Sequence, residues 1–232
     1  MSKINEEKPI ASPLPSASVI FVRDTETQLE VLLVQRNANI KFHGGAWVFP
    51  GGKVDDIDLA QASDSEEISI AKTAAVREAQ EEIGVEIDES ILRAFSHWLT
   101  PIQLPKRFST WFFIAPLSNQ EKIQIDASEI VDHIWITPSA ALAQQEQGEL
   151  VLPGPTFVTL LKLLPLKTTS DIQLFMQSLG VEKFAPRVIE NEQGRIALYD
   201  GDAGFEDVDI HADGPRHRLS MLKTGWRYEK QY

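Results

Sequence analysis

A short strand that ends in Pro50-Gly51-Gly52, followed by a long helix-like run at about 65–83, most limits what this chain can become. The run opens at Asp64-x-x-Glu67, a capping-box candidate, and closes at Gly84, a residue suited to the left-handed turn after a helix. Its last turns read Arg77-Glu78-Ala79-Gln80-Glu81-Glu82. Helical neighbours lie three and four positions apart, so this spacing predicts three carboxylates on one face. Such a face is unfavourable by itself. Each like-charge pair costs roughly 0.2–0.5 kcal/mol, and negative charge in a last turn opposes the helix dipole by roughly 0.3–1 kcal/mol. A bound Mg2+ or Mn2+ would reverse the sign by accepting those oxygens as ligands. The plainer alternative is a solvated acidic face with Arg77 paired to Glu81.

Around this unit the chain reads as α+β. Residues 16–23 and 30–36 form a strand hairpin across the polar stretch 24–29, and 46–49 form a third strand. Further strands are expected at 93–99, 107–115 and 133–136, and helices at 138–147, 157–164 and 169–179. The remainder looks like short strands and turns. The expected organisation is a flexible segment over 1–14, a catalytic domain over 15–148, and a C-terminal extension over 149–232 packed on it. The helices after Pro138 can pack on the core, cover a cleft or form a homodimer interface, three uses that one sequence does not separate.

Composition narrows the chemistry. Cysteine is absent, which excludes disulfides, thiolate catalysis and cysteine-bound zinc. With 34 acidic against 22 basic residues the net charge is −12, and no basic stripe offsets it, so nucleic acid is not an expected partner. A phosphorylated substrate would then need divalent cations or a few placed basic residues. His43, His97, His133, His211 and His217 are scattered without metal-ligand spacing. No apolar stretch suits a signal peptide or a membrane span, so no membrane partner is expected and the expected location is the cytoplasm. The spaced Asp/Asn loop of an EF-hand calcium site is missing as well.

The glycine turn and the glutamate run together resemble the nudix box, G-x5-E-x7-R-E-U-x-E-E-x-G-U with U aliphatic. Arg77 through Val85 match every specified position of its second half. The first half is 11 residues too long between Gly52 and Arg77; Asp58 keeps the acidic position, and the extra residues fall at about 59–69. The resemblance implies a mixed sheet flanked by helices and a metal-dependent hydrolase of diphosphate linkages in nucleoside diphosphate derivatives, with Mg2+ or Mn2+ as cofactor. It makes Glu78, Glu81 and Glu82 metal ligands or general base, and gives Arg77 a structural role pairing with carboxylates. The Gly52 carbonyl and Glu129 are candidate extra ligands, with Glu121 and Asp126 as rivals to Glu129.

Residues 32–52 also resemble the coenzyme A diphosphatase signature L-L-T-x-R-(S/A)-x3-R-x3-G-x-V-x-F-P-G-G, fitting at Leu32, Leu33, Arg36, Gly45, Phe49, Pro50, Gly51 and Gly52, with Lys41 keeping a positive charge. Trp98-Leu99-Thr100-Pro101 and the run Arg107 to Phe113 look like the peroxisomal branch of those enzymes and its bacterial relatives. This likeness makes Arg36, Lys41, Lys53 and Arg107 the candidate phosphate contacts, and coenzyme A or an acyl derivative the leading substrate. ADP-ribose, NADH, nucleotide sugars, dinucleoside polyphosphates, or a non-catalytic ligand sensor are the alternatives; the intact carboxylates favour an enzyme.

Overall fold

The computed structural model describes residues 10–178 and 180–231. In chain order these form β1 (Leu14–Asp24), β2 (Leu29–Arg36), β3 (Trp47–Val48), β4 (Gly51–Lys53), α1 (Asp56–Gln61), α2 (Glu67–Ile83) and a 3-10 turn (Glu89–Ile91). β5 (Arg93–Leu99), β6 (Phe108–Pro116), β7 (Ile130–Ile136), α3 (Pro138–Glu146), α4 (Gly154–Leu163) and α5 (Thr169–Ser178) follow. The C-terminal part adds β8 (Glu182–Phe184), β9 (Arg187–Asn191), β10 (Gly194–Leu198), β11 (His217–Leu222) and β12 (Gly225–Lys230). Most of the segment expected to be flexible, residues 1–9, and Leu179 at the end of the third expected late helix lie outside the described residues.

The main sheet runs β3-β2-β1-β6-β5-β8, with β4 added to β1 and β7 to β2. It is mixed: β1 pairs with β6, and β5 with β8, in parallel, and the other pairs are antiparallel. Both faces of β1 are buried, which is why 17–22 reads as an almost continuous apolar run rather than an alternating one. Ala17, Val19 and Phe21 pack with Phe113 against α2. Ile20 and Val22, pointing the other way, pack with residues of α3, α4 and α5 and of the second sheet, β12-β11-β10-β9. The mixed sheet flanked by helices matches the α+β expectation; the four-stranded antiparallel sheet behind it is more regular than the short strands and turns expected there.

Two local features depart from expectation. Gly51 and Gly52 do not simply turn the chain but form β4, set against Ser18 and Ala17 of β1. Gly51 has φ 151° and its missing Cβ would lie against the backbone of Ala17 and Ser18, so no other residue fits there without a shift. The capping box sits one helix earlier than expected. α2 begins after Glu66, which makes no side-chain cap; Asp64 instead accepts from the Glu66 N–H at 2.8 Å. It is Asp55 that opens a capped helix, donating its N–H to Asp58 Oδ2 at 2.8 Å.

Candidate active site

α2 is held close to the sheet by its alanines. Ala71, Ala75, Ala79 and Ile83 form one buried row at four-residue spacing, and Ala74 begins another. Continuing that second row by fours gives Glu78 and Glu82, so both carboxylates are carried inward on the face that packs against β1 and β4. Glu82 is buried, and its Oε2 accepts the Gly51 N–H at 2.8 Å. The Cβ that Gly52 lacks would fall on the Glu78 carboxylate. Glycine at 51 and 52 thus lets the helix and the strand bring two acids against bare backbone.

Glu81 is different. It lies at the rim with its side chain 59% exposed and accepts from Arg77 Nη1 at 2.8 Å. The expected single face of three carboxylates is therefore one buried group, Glu82, one half-buried group, Glu78, and one exposed group, because position 81 falls off the Ala74-Glu78-Glu82 row.

Arg77 ties the unit together. Its Nε and Nη2 donate to Asp58 Oδ1 and Oδ2 at 2.9 and 2.8 Å, Nη2 also reaches the Lys53 carbonyl at 2.8 Å, and Nη1 reaches Glu78 at 3.0 Å. Asp58 is completely buried, so the first-half acid of the box is the fixed end of a two-pronged ion pair that anchors α1 on α2. The sequence left the role of Asp58 open; the retained five-residue gap after Gly52 was the signal for it.

The opposite wall comes from the end of β2. Arg36 places Nη1 3.9 Å from Glu82 Oε1 and Nη2 3.7 Å from Glu129 Oε2. Its Nε is buried with no hydrogen-bond partner among the described residues. Glu129 reaches this wall because the Asp126 carboxylate is spent on the turn, accepting the N–H groups of Ser128, Glu129 and Ile130. Glu121 lies in an exposed turn. Of the three acids considered, Glu129 is the one at the site.

Charge at this site is held at a cost. Burial pushes the Glu82 carboxyl up to about 8, helped by the charges of Glu78 and Glu129 and opposed by the Gly51 N–H and Arg36. Burial also raises Glu78, with Arg77 pulling down and Glu81 and Glu129 pushing up. In both acids burial outweighs the neighbouring arginine.

The candidate phosphate contacts divide. Arg36 is at the site. Lys41 is exposed in the loop after β2 and Lys53 is exposed at the end of β4, one residue from Gly52. Arg107 is 9% exposed, and its Nε and Nη1 donate to the carbonyls of Thr100 and Ala11 at 3.1 and 3.0 Å, which braces the start of β6. The histidines are likewise engaged or peripheral. His97 bonds Ser109 at 2.8 Å, and His217 contacts the Asp200 carbonyl and the Tyr228 hydroxyl at 2.6 and 3.0 Å. Among the described residues no three His, Asp or Glu side chains already converge as a metal cage, since Arg77 holds Glu81 at the rim.

Two vertebrate proteins named acyl-coenzyme A diphosphatase NUDT19 are similar to this chain. That of Xenopus laevis is 30% identical over 127 residues, and that of Homo sapiens is 31% identical over 125; each match covers 51% of this chain and 33% of the relative. The chain thus spans about a third of the length of these curated relatives. In fold it is similar to a NUDIX hydrolase crystal structure from Alicyclobacillus acidocaldarius, with a TM-score of 0.63 at 21% identity over 75% of this chain and 99% of that one. The NUDIX domain family model matches residues 13–152, the span that carries the glycine strand, the glutamate helix and the Arg36 wall, and the chain belongs to that family.

Proposed function

We propose that the protein is a pyrophosphohydrolase that cuts the diphosphate linkage of a nucleoside diphosphate derivative, with coenzyme A or acyl-coenzyme A as its substrate. The observation that carries this reading is the pair Glu78 and Glu82, set against the Gly51-Gly52 strand with their proton affinity raised by burial. Substrate class rests on the 32–52 signature and on the names of the curated relatives.

NUDIX hydrolases generally use divalent metals, and the donors here suit one. Desolvated carboxylates with raised proton affinity gain most from a hard cation. Glu78, Glu81, Glu82, the Gly52 carbonyl and Glu129 would hold Mg2+ or Mn2+; for Glu81 this requires release from Arg77, to which it is bonded at 2.8 Å. When bound, such an ion brings the pKa of water down to about 7 and offsets diphosphate charge.

The chain's own residues do the rest. Glu78, whose proton affinity burial raises, takes the proton of the water that attacks phosphorus. Arg36, with one nitrogen unpartnered among the described residues, and the exposed Lys41 and Lys53 orient the phosphates. Arg77, paired with Asp58, fixes the helix from which Glu78 projects. In this reading residues 15–148 are the hydrolase unit, 149–232 an extension packed on it, and the cytoplasm its location. The described residues contain no helix long and apolar enough to cross a membrane.

The test is product release from coenzyme A, ADP-ribose, NADH and a diadenosine polyphosphate with Mg2+ or Mn2+, comparing wild type with Glu81→Gln. Preferred cleavage of coenzyme A to a phosphopantetheine product, lost by roughly 100-fold or more in the variant, is expected. Turnover confined to another compound would discard the substrate, and undiminished turnover in the variant would discard the role of Glu81.

A further inference from the structure

The residues that lengthen the glutamate box do more than make a surface loop. Leu59 and Ser65 from this stretch, with Val54, Ile70, Ala71 and Trp111, line a recess of about 180 Å³. Glu67 contributes the single charged side chain of its lining. The indole Nε1 of Trp111 is buried and has no hydrogen-bond partner among the described residues.

The recess lies on the catalytic side of the sheet. Trp111 pairs with Ala17, and Ala17 with Gly52, so the three share one row across β6, β1 and β4. Directly opposed residues share a face, and both the missing Cβ of Gly52 and the Trp111 ring lie on the α2 side. Two strand spacings put Trp111 about 10 Å from Gly52. Along α2, Ala71 precedes Glu78 by seven residues, again about 10 Å at the helical rise.

We propose that this recess receives an uncharged, largely apolar arm of the substrate whose diphosphate lies at Glu78 and Glu82, laid against Val54, Leu59, Ile70 and the Trp111 side chain. The identity of the substrate rests on the hydrolase reading above. The lining selects the chemistry. Val54, Leu59, Ile70 and Ala71 offer apolar contact, and Glu67 repels a phosphate or carboxylate. A nucleobase is less well served, because the Trp111 ring already lies against His97, with centroids 4.7 Å apart.

The test is binding of S-hexanoyl-pantetheine, which carries the arm without the diphosphate, followed through the indole N–H resonances of the full chain. The sequence has five tryptophans, and Trp111→Phe identifies the relevant peak. That peak is expected to move and saturate. Leu59→Trp, at a position 56% exposed and so able to fill the recess without disturbing the core, should weaken the binding by about fivefold or more. An unmoved Trp111 resonance, or unchanged binding by Leu59→Trp, overturns the proposal. The titration does not read hydrolysis: coenzyme A turnover with an unmoved indole sinks the recess alone, whereas a moved indole without turnover sinks the substrate reading and keeps the recess.

Discussion

Replacing Glu82 by Gln should stabilise the metal-free protein, and by an amount that grows with pH. Burial is the main reason the Glu82 carboxyl holds its proton up to about 8, against 4.5 for an exposed glutamate. The folded value lies above the unfolded one. The stabilising contribution of this group is therefore complete below about 4.5 and is lost as pH rises through about 8. At about 1.4 kcal/mol per unit, that interval sets a ceiling of about 5 kcal/mol. Relaxation and water entry bring the expected effect to roughly 1–3 kcal/mol. Glutamine keeps an oxygen for the Gly51 N–H but carries no charge. In thermal melts with chelator, wild type and Glu82→Gln should coincide at about pH 5. At about pH 9 the variant should melt higher, by roughly 2–4 °C for each kcal/mol. Added Mn2+ should raise wild type at high pH and leave the variant nearly unmoved. A variant less stable than wild type at high pH without metal would refute the claim that the protein holds this charge at a cost.

Three further outcomes are expected. Arg77→Ala strands the fully buried Asp58 carboxylate and should cost about 3–5 kcal/mol in denaturant unfolding, with Arg77→Ala/Asp58→Asn recovering part of it. Gly52→Ala sets a methyl group against the Glu78 carboxylate and should remove most turnover while shifting the melting temperature by only a few degrees, read by product assay and calorimetry. Phe184→Ala empties the stack on Trp98, whose centroid lies 3.9 Å away at 7°, and should cost about 3–5 kcal/mol in the same unfolding experiment, although it lies outside the family match.

The legible parts of this molecule were those fixed by local chemistry. Gly84 closing α2, the β1–β2 hairpin and the Arg77-to-Glu82 spacing could be read because turn conformation and helical periodicity are properties of a few neighbouring residues. What could not be read depended on partners far along the chain. The split of Glu78 and Glu82 from Glu81 requires knowing which side of α2 meets the sheet, and the alanines at 71, 74, 75 and 79 carried that signal. A strand-start arginine likewise gives no hint that Arg107 will donate to the Thr100 and Ala11 carbonyls. The same holds for β10 and β11, which pair across the stretch 199–216; the hairpins β9–β10 and β11–β12 are local, but their strands are too short to show a period.

The parallel pairing of β8 with β5 bears on where this fold can be divided. β5 has β6 on one side, and β8 occupies the other. A chain stopped after Leu152, where the family match ends, would leave the peptide groups of Ser96 to Trp98 open on that flank. It would also uncover the apolar side of the sheet that Phe157, Leu160 and Leu163 now shelter. Such a truncated chain offers both an unpaired strand and a greasy surface, the combination that recruits further copies into aggregates. The last third of the sequence thus covers both that strand edge and that apolar surface, and any attempt to study the glutamate helix in isolation should carry it along.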